Sequence, residues 1–144
     1  MDTSTDAIRG CVKDPLLEKA NPIIAVNVGN GHTMAAISSN GEIVGMLEHH
    51  MRLLNSQKIE RFMVDFANGD LTDEEVFKDN GHCLFFLAAH PCFSEIDEIA
   101  ATGPNKNLLS RTNFSVYFAA PAGDVVMTGP VGLVEAAKIR FNLG

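Results

Sequence analysis

Apolar and polar positions divide the chain into segments of different period. Ile23-Ile24-Ala25-Val26-Asn27-Val28 is a short β-branched run bounded by Pro22 and Gly29, the pattern of a buried strand. Gly29-Asn30-Gly31 supplies a turn in which positive φ angles are permitted, and residues 33–38 run back as a second, antiparallel strand. Ser39-Asn40-Gly41 holds the Asn-Gly pair suited to a type I′ hairpin, so residues 42–48 form a third strand. The period then becomes helical: Ile59, Phe62, Met63 and Phe66 recur behind Ser56 as N-cap, and Asn68-Gly69 ends the helix. Thr72-Asp73-Glu74-Glu75 reads as a capping box starting a short helix that carries Val76 and Phe77 inward. Residues 81–92 stay unassigned, because Leu84-Phe85-Phe86-Leu87 reads as a buried run whose periodicity does not separate strand from helix.

The last third contains an echo. Glu98-Ile99-Ala100-Ala101 leads into Thr102-Gly103-Pro104, and Asp124-Val125-Val126-Met127 leads into Thr128-Gly129-Pro130, each a small apolar strand ending in Thr-Gly-Pro. Between them Asn107-Leu108-Leu109 reads as a short helix, and residues 114–118 alternate like an extra strand. Val131, Leu133, Val134, Ala137, Ile139 and Phe141 then give a helix with an apolar face and Pro130 in its first turn. Upstream, the stretch to Ala20 reads as one or two helical turns anchored by Leu16 and Leu17 and broken at Asn21-Pro22. The expected organisation is an appended segment, residues 1–21, followed by a single α/β domain, residues 22–144.

Composition narrows the partners. A chain of 144 residues, 46% hydrophobic, can build one core. Its net charge of -7 and scattered Lys and Arg leave no basic stripe for nucleic acid or an anionic membrane. A polar, acidic start and the lack of any apolar run near the roughly 20 residues of a membrane span point to a cytoplasmic protein. Cys11, Cys83 and Cys92 match neither a zinc knuckle nor a redox pair and read as reduced, partly buried thiols.

The order of elements resembles the ribonuclease-H-like fold, a mixed α/β sheet with a three-strand hairpin start and then parallel strands, flanked by helices. That resemblance implies that four loops share one sheet edge: Gly29-Asn30-Gly31, Glu48-His49-His50, Thr102-Gly103-Pro104 and Thr128-Gly129-Pro130. Open α/β sheets bind ligands outside the carboxyl ends of their strands. Asn27-Val28-Gly29-Asn30-Gly31-His32-Thr33 resembles the phosphate-binding hairpin of the actin, sugar kinase and heat-shock-protein ATPase superfamily, and Met127-Thr128-Gly129-Pro130 its later, adenosine-holding turn. The physical basis is that glycine amides approach an anion closely and form a concave nest, to which Thr33 adds a hydroxyl. The resemblance implies ligand contacts from Asn27, Gly29, Asn30, Gly31, His32, Thr33, Thr102, Gly103, Thr128 and Gly129. The implied ligand is ATP or another small phosphorylated molecule with Mg²⁺. Two departures matter: the superfamily carries an aspartate where this chain has Asn27, and it closes two such domains around the nucleotide. Poor ATP turnover is therefore expected, with a second domain or a second copy completing the site.

The landmarks Gly29-Asn30-Gly31-His32-Thr33, Glu48-His49-His50, Gly81-His82 and the two Thr-Gly-Pro turns are similar to an uncharacterised prokaryotic family labelled putative pyruvate formate-lyase activating enzyme. This resemblance covers nearly the whole chain and implies that it is the C-terminal portion of a longer protein. The label implies a radical enzyme with three closely spaced cysteines around an iron–sulfur cluster that binds S-adenosylmethionine. The cysteines here lack that spacing, so such chemistry is not expected.

A rival reading makes Glu48, His49, His50 and His32 the cluster of a metal-dependent hydrolase or isomerase. His49 and His50 can share a ligand only if the strand has already ended, because neighbours on a strand face opposite ways. Nuclease chemistry is not expected, since Asn27 removes the carboxylate of strand one and Asp65, Asp70 and Asp73 read as helix-end and cap residues. A third reading is a non-catalytic scaffold whose glycine loops are only turns.

Overall fold

The computed structural model describes residues 3–50, 55–87, 89–124 and 127–143. Its centre is a mixed six-stranded sheet flanked by helices. β1 (Ile23–Val28), β2 (His32–Ser39) and β3 (Glu42–His50) are consecutive antiparallel strands, and β4 (Gly81–Phe86) adds to β3 as an antiparallel edge. On the other side of β1, β5 (Glu98–Thr102) and then β6 (Val116–Phe118) run parallel to it, giving the order β4-β3-β2-β1-β5-β6. Every residue of β1 is buried, as the centre of a sheet covered on both faces requires.

Alternation along β1 divides two cores. Ile24, Val26 and Val28 pack under α2 (Ser56–Asn68) with Ile59, Phe62, Met63 and Phe66, while Ile23 and Ala25 pack under α1 (Thr3–Val12) with Ile8 and Cys11. Phe66, fully buried, contributes about 1.5–3 kcal/mol by its removal from water. α2 is bounded by Asn55, whose side chain accepts from the Lys58 amide, and by Gly69 in the left-handed conformation at φ 74°. The N-cap thus lies one residue before Ser56, because the Asn55 amide oxygen reaches the free amide of the first turn. Thr72 and Glu75 form the expected reciprocal capping box of α3 (Asp73–Lys78). The Asn40-Gly41 turn has φ of 53° and 80°, the signs a type I′ hairpin needs.

The N-terminal stretch differs from the one or two short turns expected. It is a ten-residue helix, tied down after its end by Asp14, whose carboxylate accepts from the Tyr117 hydroxyl and the Ala120 amide. Ile8 and Cys11 are recurrent apolar positions in a segment whose polar start hides them.

Residues 84–86 of the run belong to a strand only partly buried, because β4 is the edge of the sheet, and Leu87 just beyond it is 69% exposed. Phe77, expected inward, is 76% exposed; α3 buries Val76 alone. Of the strand expected at residues 124–127, Val125 and Val126 lie outside the described residues. The Met127 amide donates to the Asp124 carbonyl. Among the described residues β5 pairs in parallel with β1 on one side and β6 on the other.

α4 (Thr128–Phe141) follows, but Leu133, Val134, Ile139 and Phe141 of its expected apolar face are exposed. Its contact with α1 is made by small groups: a Cβ at Gly10 would overlap the Thr128 carbonyl, and one at Gly132 would overlap that of Asp6. Backbone rather than large side chains sets this helix spacing. Among the described residues no helix is long and apolar enough to cross a membrane.

Candidate functional site

Strand alternation decides which loop residues can meet. On the α1 side of the sheet, at the carboxyl ends of β1 and β5, a cavity of about 860 Å³ opens. Four loops expected to share an edge all reach it: Asn27, Gly29, Asn30, Gly31 and His32 from the first hairpin, Glu48 from β3, Gly103 and Pro104 from the end of β5, and Thr128 and Gly129 from the start of α4. Its volume lies in the range of small-molecule sites, about 300–1,000 Å³. Asn27 and Thr102 are cross-strand partners beneath it, both buried. The Thr102 and Thr128 hydroxyls lie 2.7 Å apart, so the two Thr-Gly-Pro repeats are joined through their threonines.

Sequence reading missed Ser4 and Ala7 of α1, Lys106, Asp124 and Asn105. The first four line the cavity, and Lys106 is its cationic residue among the described positions. Asn105 acts from behind: its amide nitrogen donates to the Gly29 carbonyl at 2.9 Å and to Asn30 Oδ1 at 3.1 Å, and its backbone amide donates to the Val28 carbonyl. It fastens the first glycine loop to the β5 loop. Asn directly after Thr-Gly-Pro was the available signal.

Three expectations are corrected. Gly29 and Gly31 are not left-handed, so the first loop closes through the Gly29 amide donating to the His32 carbonyl and forms no positive-φ nest. The left-handed glycine of the site is Gly103, at φ 97°. Thr33 lies on the opposite face, beside Val26, Leu47 and Phe62 under α2, because β2 has already begun and alternation turns it away from His32.

His49 is the third correction. β3 continues to His50, so His49 faces α2, with its side chain 3% exposed and its ring against Phe62. Its Nε2 lies 2.8 Å from Asp79 Oδ2 and its Nδ1 2.9 Å from the His50 carbonyl, so neither ring nitrogen is left for a ligand. Burial alone would raise the Asp79 carboxyl, yet hydrogen bonds from Lys58 and His49 hold it below its ordinary value. His49 is a core histidine.

His82, left on an unplaced loop by the sequence, takes its position beside His32 and His50. Gly81 pairs with His49 and Cys83 with Glu48, so His82 is the extra residue of a β-bulge. A bulge re-aims side chains, and here the His82 ring stacks on His32 at 4.8 Å and meets His50 edge-on at 4.2 Å. Glu48 stays with this group through a 2.7 Å contact to His32 Nδ1.

The cysteines are apart. Cys11 is buried on the sheet-facing side of α1, where desolvation and then the Asp14 charge push its thiol up to about 12; burial, then Asp73 and Glu48, raise Cys83. Among the described residues they join no cluster of metal-binding side chains.

Comparison with known proteins gives a family model described as "Putative pyruvate format-lyase activating enzyme (DUF1786)" that matches residues 1–108. A search of curated proteins finds no match to the chain.

Proposed function

The chain belongs to that family, and from this premise we propose that its crevice recognises a small phosphate-bearing ligand, a nucleotide in the first place, rather than supporting radical activation chemistry. The cluster that the family description implies does not fit the cysteines present. One thiol is sealed in the α1 core with its proton held to about 12, another is raised by burial and nearby carboxylates, and the third is exposed on a separate loop. An open-site iron–sulfur cluster needs three convergent thiolates.

The convergence of glycine-bearing loops, Lys106 and the α4 N-terminus on one cavity carries the recognition reading. α4 opens onto the crevice at Thr128 and Gly129, so the positive end of its dipole favours negative charge there. Gly29, Gly31 and Gly129 let an anion approach backbone closely. The strand order β3-β2-β1-β5-β6, with β1, β5 and β6 parallel and β2 reversed, supports a ribonuclease-H-like and actin-like-ATPase reading of the fold. Asn27 cannot supply the charge that organises Mg²⁺, which favours recognition over hydrolysis.

A melting-temperature screen with ATP, ADP, sugar phosphates and inorganic phosphate tests the proposal. A ligand at a hundred times its Kd adds about 2.7 kcal/mol of stability. At least one phosphate-bearing compound is expected to raise Tm, and Lys106→Ala to weaken its binding about tenfold, the scale of one charge-assisted hydrogen bond. No shift with any compound, or the same affinity in Lys106→Ala, would count against it.

A further inference from the structure

We propose that His32, His50 and His82 bind a divalent transition-metal ion, zinc above all, at the edge of the crevice. Three strands deliver the three rings to one face: His32 opens β2, His50 ends β3 directly opposite it, and the β4 bulge brings His82 across. Their candidate ligand nitrogens all lie within 4.8 Å of one another.

Two features separate this group from imidazoles packed by chance. His32 and His50 are only partly buried and His82 is exposed, so the group is not core filling. One of the rings is also oriented from behind: His32 Nδ1 is held by Glu48 at 2.7 Å. Metal-bound histidines show this pattern, one nitrogen on the ion and the other donating to a carboxylate or backbone carbonyl, which fixes tautomer and aim. His49 provides the contrast within the chain, with both its nitrogens already engaged.

Ligand type selects the ion. Three imidazoles suit zinc and its borderline neighbours, whereas Mg²⁺ and Ca²⁺ require oxygen ligands. Zn–N bonds of about 2.0–2.1 Å in a tetrahedron place the nitrogens roughly 3.3 Å apart, so the rings must close inward from their present separation. The exposed His82 ring has room for that movement. Three protein nitrogens leave the fourth position for water or a crevice ligand, as in open zinc sites.

The test uses the full chain without a histidine tag, stripped with EDTA and kept in phosphate-free buffer, so that it is independent of any anionic ligand. Zn²⁺ is titrated in competition with a chromophoric chelator, and Co²⁺ is added separately to read its tetrahedral visible bands. One Zn²⁺ per chain is expected with Kd of about 1 μM or tighter. His82→Ala and His50→Ala should each weaken binding tenfold or more and remove the tetrahedral Co²⁺ signature, while His90→Ala, a ring stacked on Phe86 elsewhere, leaves both unchanged. Circular dichroism of each variant confirms the fold, and exposed His82 is the variant least able to disturb it. Absence of stoichiometric Zn²⁺ binding, or binding that survives both substitutions, would overturn the proposal.

Discussion

Gly103→Ala is expected to destabilise the chain by on the order of 2–6 kcal/mol, combining about 1–3 kcal/mol of backbone strain with a similar cost of overpacking. Gly103 sits at φ 97°, a conformation that L side chains rarely adopt. The added Cβ would stand 2.5 Å from the Val28 carbonyl oxygen and 2.6 Å from Asn27 Oδ1. That carbonyl already accepts from the Asn105 amide, and Asn105 in turn holds the Gly29 carbonyl. The damage therefore spreads to both loops of the crevice. Urea unfolding should show a lower midpoint with an unchanged slope; a midpoint within error of the wild type would show that the β5 loop relaxes freely.

Gly10→Ala separates two opposing effects. In a solvent-exposed helix the change gains about 1 kcal/mol of helix propensity. Gly10 instead faces the Thr128 carbonyl, which a methyl group would overlap, and backbone on both sides leaves no flexible side chain to yield. α1 must then shift, disturbing the packing of Ile8 against the sheet, whose burial contributes about 1.5–3 kcal/mol. The net expectation is a loss of about 2–5 kcal/mol in denaturant unfolding. A stabilised variant would mean that propensity dominates and that the two helices are not in close contact.

Elements whose period is enclosed by glycine or proline could be read directly: β1, the Asn40-Gly41 hairpin, and α2 with Gly69 at its end all follow from local pattern. The edge strand β4 could not, because an apolar run half-covered by α3 carries the same residues as a buried helix. The helix α1 was hidden for a different reason. Its polar start masks Ile8 and Cys11, and its face toward α4 is built around Gly10, which adds no apolar position.

At the site, the loops that converge were legible from the strand order. Side-chain direction was not. Continuation of β3 past Glu48 to His50 turned His49 into the core, and one extra residue in β4 brought His82 out to His32 and His50. Such single-residue shifts reverse a strand's faces without altering its composition. Asn105 and Lys106 were overlooked because they act from a 3₁₀ turn that lacks periodicity.

Titration calorimetry of Mg²⁺-ATP into the wild type and into Gly31→Val tests the central claim most directly. Gly31 lines the crevice, is not left-handed, and has nothing within 4 Å of the position a Cβ would take, so valine occupies ligand space without straining the fold. Saturable one-to-one binding is expected in the wild type, with affinity at least about tenfold weaker, a loss of about 1.4 kcal/mol, in a variant of unchanged circular dichroism. Equal affinity in the two proteins, or no binding to the wild type, would contradict it.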